Sequence, residues 1–250
     1  MTIKKSEQYF FSDFTITSYS KILNLALNNY VFCNYENYKR TPNAIIWRHD
    51  VDVSIKRAVR LSKIEFDLGI KSTFFIHIHN GYYNIFDLKT IDAINSIINC
   101  GHSLGIHLDS DFYDIKNEKE LENSLEFEKK LFYDVLGIRA KSFSFHNPSK
   151  FILSNFRNDE YADLINVYSD SIKDSLSYIS DSNGYWRFER LIDVITSSKY
   201  DKLQVLTHPV WWTKEIMSPN ERFRKCLNQI QESNQAEYII GRRKRGRKTI

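Results

Sequence analysis

The sequence predicts an α/β fold in which parallel strands curl into a barrel, and three observations carry that prediction. Apolar strand-like runs alternate with helical patterns from Ala44 onward. Polar residues gather where those runs end, most densely at Arg48-His49-Asp50-Val51-Asp52. All seven histidines, His49, His77, His79, His102, His107, His146 and His208, fall in or at the ends of predicted strands and none in a predicted helix. A parallel barrel brings every strand C-terminus to one face. An open doubly wound sheet gathers them less completely, so the convergence of ionisable residues favours the barrel.

The elements follow in order. Before residue 41 one helix is predicted, from Ser18 or Ser20 through Tyr30, with Ile22, Leu23, Leu25 and Leu27 among its apolar positions; Thr41-Pro42-Asn43 then breaks the chain. The run 44–52 reads as a buried strand. Ser54 caps a helix reaching residue 68, with Ile55, Ala58, Val59, Leu61, Ile64 and Phe66 on one broad face, and Gly69 ends it. Residues 72–79 form the next strand and complete a β-α-β unit. A helix over about 87–99 stops at Cys100-Gly101, and 102–107 is a short strand followed by Leu108-Asp109-Ser110-Asp111.

Asn117 and Glu120 make a capping box for a long helix with an apolar stripe of Leu121, Leu125, Leu131, Phe132, Val135 and Leu136, which Gly137 terminates. Residues 142–145 form a strand ending at His146-Asn147-Pro148, and 164–168 another ending at Ser169-Asp170-Ser171. The segment 181–186 reads as a turn, 189–197 as a helix, and 203–206 as the last clear strand, ending at Thr207-His208-Pro209. Ser218-Pro219 opens a final helix over about 220–231.

At 250 residues the chain suits one α/β domain with a substantial core. The division expected is an N-terminal helical lead-in at 1–43 packed on a barrel at 44–240, then a basic, disordered tail at 241–250. The net charge of +4 belongs to that tail: without the six basic residues between Arg242 and Lys248, 29 Lys and Arg face 31 Asp and Glu. A nucleic-acid role is therefore not expected of the domain. Three scattered cysteines in no metal-ligand spacing point to a reducing compartment. No run approaches the roughly 20 apolar residues of a membrane span, and the N-terminus lacks a signal-peptide core, so the expected location is cytoplasmic.

Asp50 and Asp52 stand two residues apart, which places both carboxylates on one face if the strand continues. Two anions so close need a cation, a shared proton or water. The competing reading is an Asp-rich turn capping the helix at Ser54. With Asp109, Asp111 and Asp170 near other strand ends, imidazoles and carboxylates supply the ligand set of zinc and similar divalent metals.

The succession Arg-His-Asp-Val-Asp at 48–52, Ser-Thr-Phe-Phe at 72–75, Gly-His-Ser-Leu-Gly-Ile-His at 101–107, Phe-His-Asn-Pro at 145–148, Tyr-Ser-Asp-Ser at 168–171 and Leu-Thr-His-Pro at 206–209 resembles the ordered motifs of NodB-homology polysaccharide deacetylases, the carbohydrate esterase family 4 type. It is most similar to the divergent branch found with surface-polysaccharide biosynthesis. The resemblance spans 44 to about 212 and implies a distorted (β/α)7 barrel. It also implies metal-dependent removal of an acetyl or other N-acyl group from a sugar, nucleotide- or lipid-linked, in capsule or lipopolysaccharide assembly. Carried over, Asp50 is the catalytic base, His208 the general acid, and Asp52 and His107 bind the metal, zinc by family habit.

Typical members have adjacent aspartates where Val51 intervenes here, and a second metal histidine where this chain has Asp111. Asp111 or Asp109 is then the expected third ligand, a harder set that tilts preference toward oxygen-loving divalent ions. His146 replaces the arginine that orients the base in the family. Asp170 is open between orienting His208, orienting His146 and capping a helix. Trp186, Trp211 and Trp212 have the chemistry to stack on a sugar or to pack the rim. The alternatives are a catalytically silent carbohydrate-binding relative and a C–N hydrolase acting on a non-sugar amide. Oligomeric state is not readable from the sequence.

Overall fold

A computed structural model describes residues 5–247. In chain order the elements are α1 Lys5–Gln8, α2 Ile16–Asn29, β1 Val31–Cys33, β2 Ala44–Val51, α3 Ile55–Asp67, β3 Thr73–Ile76, α4 Leu88–Asn99, β4 Ser103–Leu108, α5 Glu118–Leu136 and β5 Ser142–Phe145. Then come α6 Lys150–Asn155, β6 Glu160–Tyr161, β7 Leu164–Asn166, α7 Asp170–Ser175, β8 Ser177–Ser180, α8 Leu191–Ser197, β9 Leu203–Thr207 and α9 Pro219–Lys244. One sheet runs β6-β7-β5-β4-β3-β2-β9-β8, parallel throughout except for the β6–β7 pair. Seven parallel strands thus curl around a lumen. Among the described residues no hydrogen-bonded ladder joins β8 to the β6–β7 end, so the barrel is open at that seam.

Burial explains why β2 reads as a continuous apolar run: every residue from Ala44 to Val51 is buried, as a strand covered on both faces must be. Period-two alternation then sorts the side chains. Ala44 and Ile46 join Tyr35, Tyr38, Phe75 and Val167 on the floor of the lumen. Ile45 and Trp47 pack outward with Phe14, Tyr19 and Leu23 of the N-terminal segment and with Val205. A second outer layer packs Phe74, Ile106 and Phe143 against Ile94, Ile97, Leu125 and Phe132 of α4 and α5. Each large apolar side chain so buried contributes about 1.5–3 kcal/mol. Gly105 of β4 lies over the floor; a Cβ there would fall within 3.0 Å of the Ser142 carbonyl and closer still to the Phe75 ring.

The expected helix signals act locally as their chemistry requires. Ser54 Oγ accepts from Arg57 N at 3.2 Å, and Asn117 Oδ1 from Glu120 N at 3.0 Å. Glu120 reaches back to Lys116 N at 2.7 Å, one residue earlier than a reciprocal box requires, whereas Ser218 and Glu221 form the complete box. Gly137 ends α5 at φ 69°, where a Cβ would be strained.

Besides the short elements α6, β6, α7 and β8, which the sequence reading does not resolve, three features differ from it. The N-terminal segment contributes a strand, β1, paired with Ala44–Ile46 of β2, besides its helices. The helix there starts at Ile16, because Thr15 and not Ser18 accepts the capping bond, from Ser18 N at 3.1 Å. And α9 does not stop near 231 but continues through Lys244, since no Gly or Pro interrupts its helix-forming residues before Gly241, and a lone glycine costs only about 1 kcal/mol. The expected disorder over 241–250 is therefore not what 241–244 show; residues 248–250 and 1–4 lie outside the described residues.

Candidate active site

The same alternation that buries Ile45 and Trp47 outward turns Arg48 and Asp50 into the lumen, with Asp52 just past the end of β2. His107 on β4, Ser144 on β5, His146 just past β5 and His208 just past β9 converge on them from the neighbouring strands. His107 Nε2 lies 3.0 Å from Asp52 Oδ1, His146 Nδ1 lies 3.5 Å from the same oxygen, and the two histidine nitrogens are 3.3 Å apart. Ligand atoms about 2.0–2.1 Å from one tetrahedral ion stand about 3.3–3.4 Å from each other. The triangle has the size of a zinc-type site. Among the described residues Asp52, His107 and His146 form the only such group of His, Cys, Asp or Glu.

Two further observations test the fit of a metal. Asp52 Oδ1 is buried with no hydrogen-bond partner despite its two imidazole neighbours, an arrangement a shared cation would satisfy. His107 spends its other nitrogen on Ser144 Oγ at 2.6 Å, which orients the ring and leaves Nε2 toward Asp52. The residues present fit a divalent cation. Burial alone would raise the Asp52 carboxyl, but the adjacent imidazoles of His107, His146 and His208 outweigh it and hold the group well below the usual range.

On the opposite side of Asp52, His208 Nε2 stands 3.7 Å from Oδ2. Its Nδ1 lies 2.6 Å from Asp181 Oδ1, and the His208 backbone N–H donates to both Asp181 oxygens at 3.0 Å. Trp212 Nε1 donates to Asp181 Oδ2 at 3.1 Å, completing a buried cradle around that carboxylate. Burial would depress the imidazole, but Asp181 and then Asp52 outweigh it and push His208 up to about 9. It therefore carries a proton at neutral pH.

Asp50 is held differently. Arg48, two residues earlier on the same face, donates from Nη2 to Asp50 Oδ2 at 2.8 Å and to the Tyr168 hydroxyl at 3.0 Å. Its guanidinium lies over the Phe75 and Tyr168 rings at 5.3 and 4.9 Å from their centroids. Asp50 Oδ1 is buried and unpartnered, and Oδ2 is 3.9 Å from His107 Nε2.

Of the residues picked out from sequence, Asp50, Asp52, His107, His146 and His208 come together. His146 does so as one of the candidate ligands and not as the orienting partner of Asp50; Arg48 holds that place. Asp109 and Asp111 do not join the group. Asp109 Oδ1 accepts from the backbone of Asp111 and Phe112 at 3.0 and 3.2 Å, which folds the loop onto itself and turns Oδ2 to His77 Nε2 at 3.7 Å. Asp111 is exposed. Asp170 pairs with Arg157 at 2.7 Å, away from both histidines. Trp212 is fully buried and Trp186 donates to Asp13 at 3.0 Å, so both pack the structure.

His77 adds a group that sequence reasoning left without a role. It lies beside His146, ring centroids 4.5 Å apart, with Nε2 buried and unpartnered. Burial first, then His107 and His146, press its pKa down to about 4. Asp181 escapes a reading of the sequence because the strand before it, β8, begins and ends in serine and carries little apolar run; its one signal is an acid at a strand end. His49 and His102 face outward, into a separate network with Glu65.

No protein-family model matches the chain, and no curated protein matches it. Solved structures similar to it include a family 4 acetyl xylan esterase from Clostridium thermocellum in complex with a cobalt ion, at 14% identity, TM-score 0.44, covering 76% of this chain and 84% of that one. A chitin deacetylase from Colletotrichum lindemuthianum is similar at 13% identity and TM-score 0.44, over 76% and 84% of the two chains. A CE4 family pseudoenzyme from Bacillus anthracis is similar at 11% identity and TM-score 0.40, over 76% and 60%.

Proposed function

We propose that this protein is a metal-dependent hydrolase of the polysaccharide deacetylase type. Its substrate in this reading is an N-acetylated sugar, nucleotide- or lipid-linked, consumed in surface-polysaccharide assembly in the cytoplasm. The observation that carries the reading is the Asp52–His107–His146 triangle, with edges of 3.0, 3.3 and 3.5 Å, flanked by an aspartate and a protonated histidine. The six ordered motifs support the sugar amide as substrate, and the three free cysteines support a reducing compartment.

Asp52, His107 and His146 would hold the cation, zinc or another divalent ion, which when bound supplies Lewis-acid polarisation of the acyl carbonyl. Asp50 presents its open Oδ1 as general base while Arg48 fixes Oδ2, so a proton of the attacking water has one acceptor. Asp181 fixes His208 with Nδ1–H toward itself, leaving Nε2–H to protonate the departing amine. Base and acid reach the candidate metal ligands from different sides, as hydrolysis of an amide requires.

The test is metal content by elemental mass spectrometry beside hydrolysis of N-acetyl sugar nucleotides. Near-stoichiometric divalent metal is expected in the wild type and in Asp50→Asn, and its loss in Asp52→Ala, His107→Ala and His146→Ala. Asp50→Asn should lower turnover by about 10²–10⁴ with metal retained. Equal metal content across all the variants would overturn the assignment.

A further inference from the structure

The rim of the site carries exposed apolar side chains that the proposed chemistry does not use. On the loop between β3 and α4, Tyr82 is 44% and Phe86 60% exposed, and Leu88, the first residue of α4, is 75% exposed. That loop leaves the C-terminal end of β3, so it stands on the same edge of the sheet as His77 and the candidate metal ligands. The long helix α9 crosses to the same edge. Tyr82 meets Phe223 of α9 with ring centroids 6.0 Å apart, and Lys89, at the start of α4, pairs with Glu237.

Beyond Glu237 the helix carries Tyr238 at 61% and Ile240 at 51% exposure, then Arg242, Arg243, Lys244, Arg245 and Arg247. Ile240 and Lys244 follow Glu237 at helical spacing, so the side of α9 that meets Lys89 sets an apolar group and a cation beside Leu88, with the other cations flanking them and Tyr238 turned to the other side, on a chain whose remainder is slightly acidic. Within the patch Glu237 is engaged by Lys89, leaving Asp87 as the acid between Phe86 and Leu88.

We propose that the β3–α4 loop and the C-terminal end of α9 form a docking surface for an anionic lipid bilayer. Aromatic and aliphatic side chains enter the acyl boundary while Lys and Arg stay at the headgroups, the pairing that holds interfacial helices on membranes. A nucleic acid would use the cations but would gain nothing from Leu88 and Ile240. The β3–α4 part of the surface shares its edge of the sheet with the candidate site, so in this proposal docking brings the site near the bilayer, where a lipid-linked sugar would lie. Docking itself does not depend on the catalytic reading, because binding is measured without substrate.

The experiment is co-sedimentation of the full chain with vesicles of phosphatidylcholine alone and of phosphatidylcholine mixed with phosphatidylglycerol, at ~0.1 and ~0.5 M salt. Binding is expected to the mixed vesicles, at least tenfold tighter than to the neutral ones and weakened by salt. Arg243→Glu with Arg245→Glu should weaken it about tenfold or more. Leu88→Asp and Ile240→Asp should weaken what survives at high salt, with circular dichroism confirming the fold of each variant. Absence of vesicle binding, or equal binding to both vesicle types, would overturn the proposal. So would RNA binding without vesicle binding, or a dimer that Ile240→Asp dissolves in a protein that does not bind vesicles.

Discussion

His49 and Asp50 are neighbours in sequence and belong to two different structures. On the outer face of β2, His49 Nε2 meets Glu65 Oε1 at 2.7 Å and Nδ1 meets Thr207 Oγ1 at 2.7 Å. Tyr19 also donates to Glu65, Ser72 Oγ reaches Oε2 at 2.5 Å, and His102 joins Ser72 at 3.0 Å and the Ser62 carbonyl at 2.9 Å. None of these side-chain atoms is left unpaired. On the inner face Asp50 Oδ1, Asp52 Oδ1, His77 Nε2 and two nitrogens of Arg48 are buried without partners. The residue types are alike; satisfaction separates them. A closed network stabilises the fold, whereas open valences at a concave site are kept for something that arrives.

Stability measurements should break or confirm that contrast most sharply. Glu65→Ala leaves His49 and the Tyr19 and Ser72 hydroxyls buried without their acceptor and is expected to cost about 3–5 kcal/mol in urea unfolding, with metal content unchanged in whatever remains folded. Asp52→Ala should cost less than Glu65→Ala in the metal-free protein, since it relieves a buried unpartnered oxygen, while abolishing metal binding. Equal losses from both would erase the distinction. Although burial opposes it, His49 and then His102 hold the Glu65 carboxyl low. Its stabilisation is therefore full above the ordinary carboxylate pKa and fades as pH falls, so wild type and Glu65→Gln should converge in acid.

Next in size is Asp181→Asn. Losing the charge that raises His208 should bring the basic limb of the pH–rate profile down from about 9 by one unit or more and slow turnover about 10–100-fold. An unmoved limb would mean that His208 is not the acid.

The smallest effect concerns Glu128 of α5, which belongs to neither cluster. Its side chain is fully buried near Tyr113 and Asp109, and burial pushes its pKa up to about 8. A raised carboxyl pKa means the stabilisation is complete below the usual 4.5 and is lost as pH rises through about 8. Glu128→Gln should flatten that part of the stability curve and raise the melting temperature at pH above about 8. A curve parallel to wild type would show that Glu128 ionises normally.

Much of this site is legible before any coordinates. Strand-end clustering and the two-residue step from Asp50 to Asp52 put both carboxylates on one face if the strand continues, and the resemblance of 101–107 to a family motif singles out His107. What escapes the sequence depends on neighbours that are distant along the chain. Whether His146 or Asp111 completes a triangle with Asp52 is decided by how the 109–112 loop closes on Asp109, a local hydrogen-bond competition with no periodicity. Asp181 is found only when β8 lies beside β9. Arg48 reads as an ordinary basic residue until the curl surrounds it with Tyr168 and Phe75. The length of α9 escapes for another reason, since a solvated helix carries little hydrophobic pattern to mark where it ends.

The missing side chain at Gly105 reaches further than its size suggests. Carbons of the Phe75 ring fill that gap, the Arg48 guanidinium lies over Phe75, and Asp50 is held by Arg48. These four residues form a column, and its height is set at the bottom. A single methyl group there would lift the ring, tilt the guanidinium and swing the carboxylate, disabling a polar centre through purely steric means. The precision of this centre is thus fixed from below, by an aromatic ring seated where any other residue would carry its first side-chain carbon.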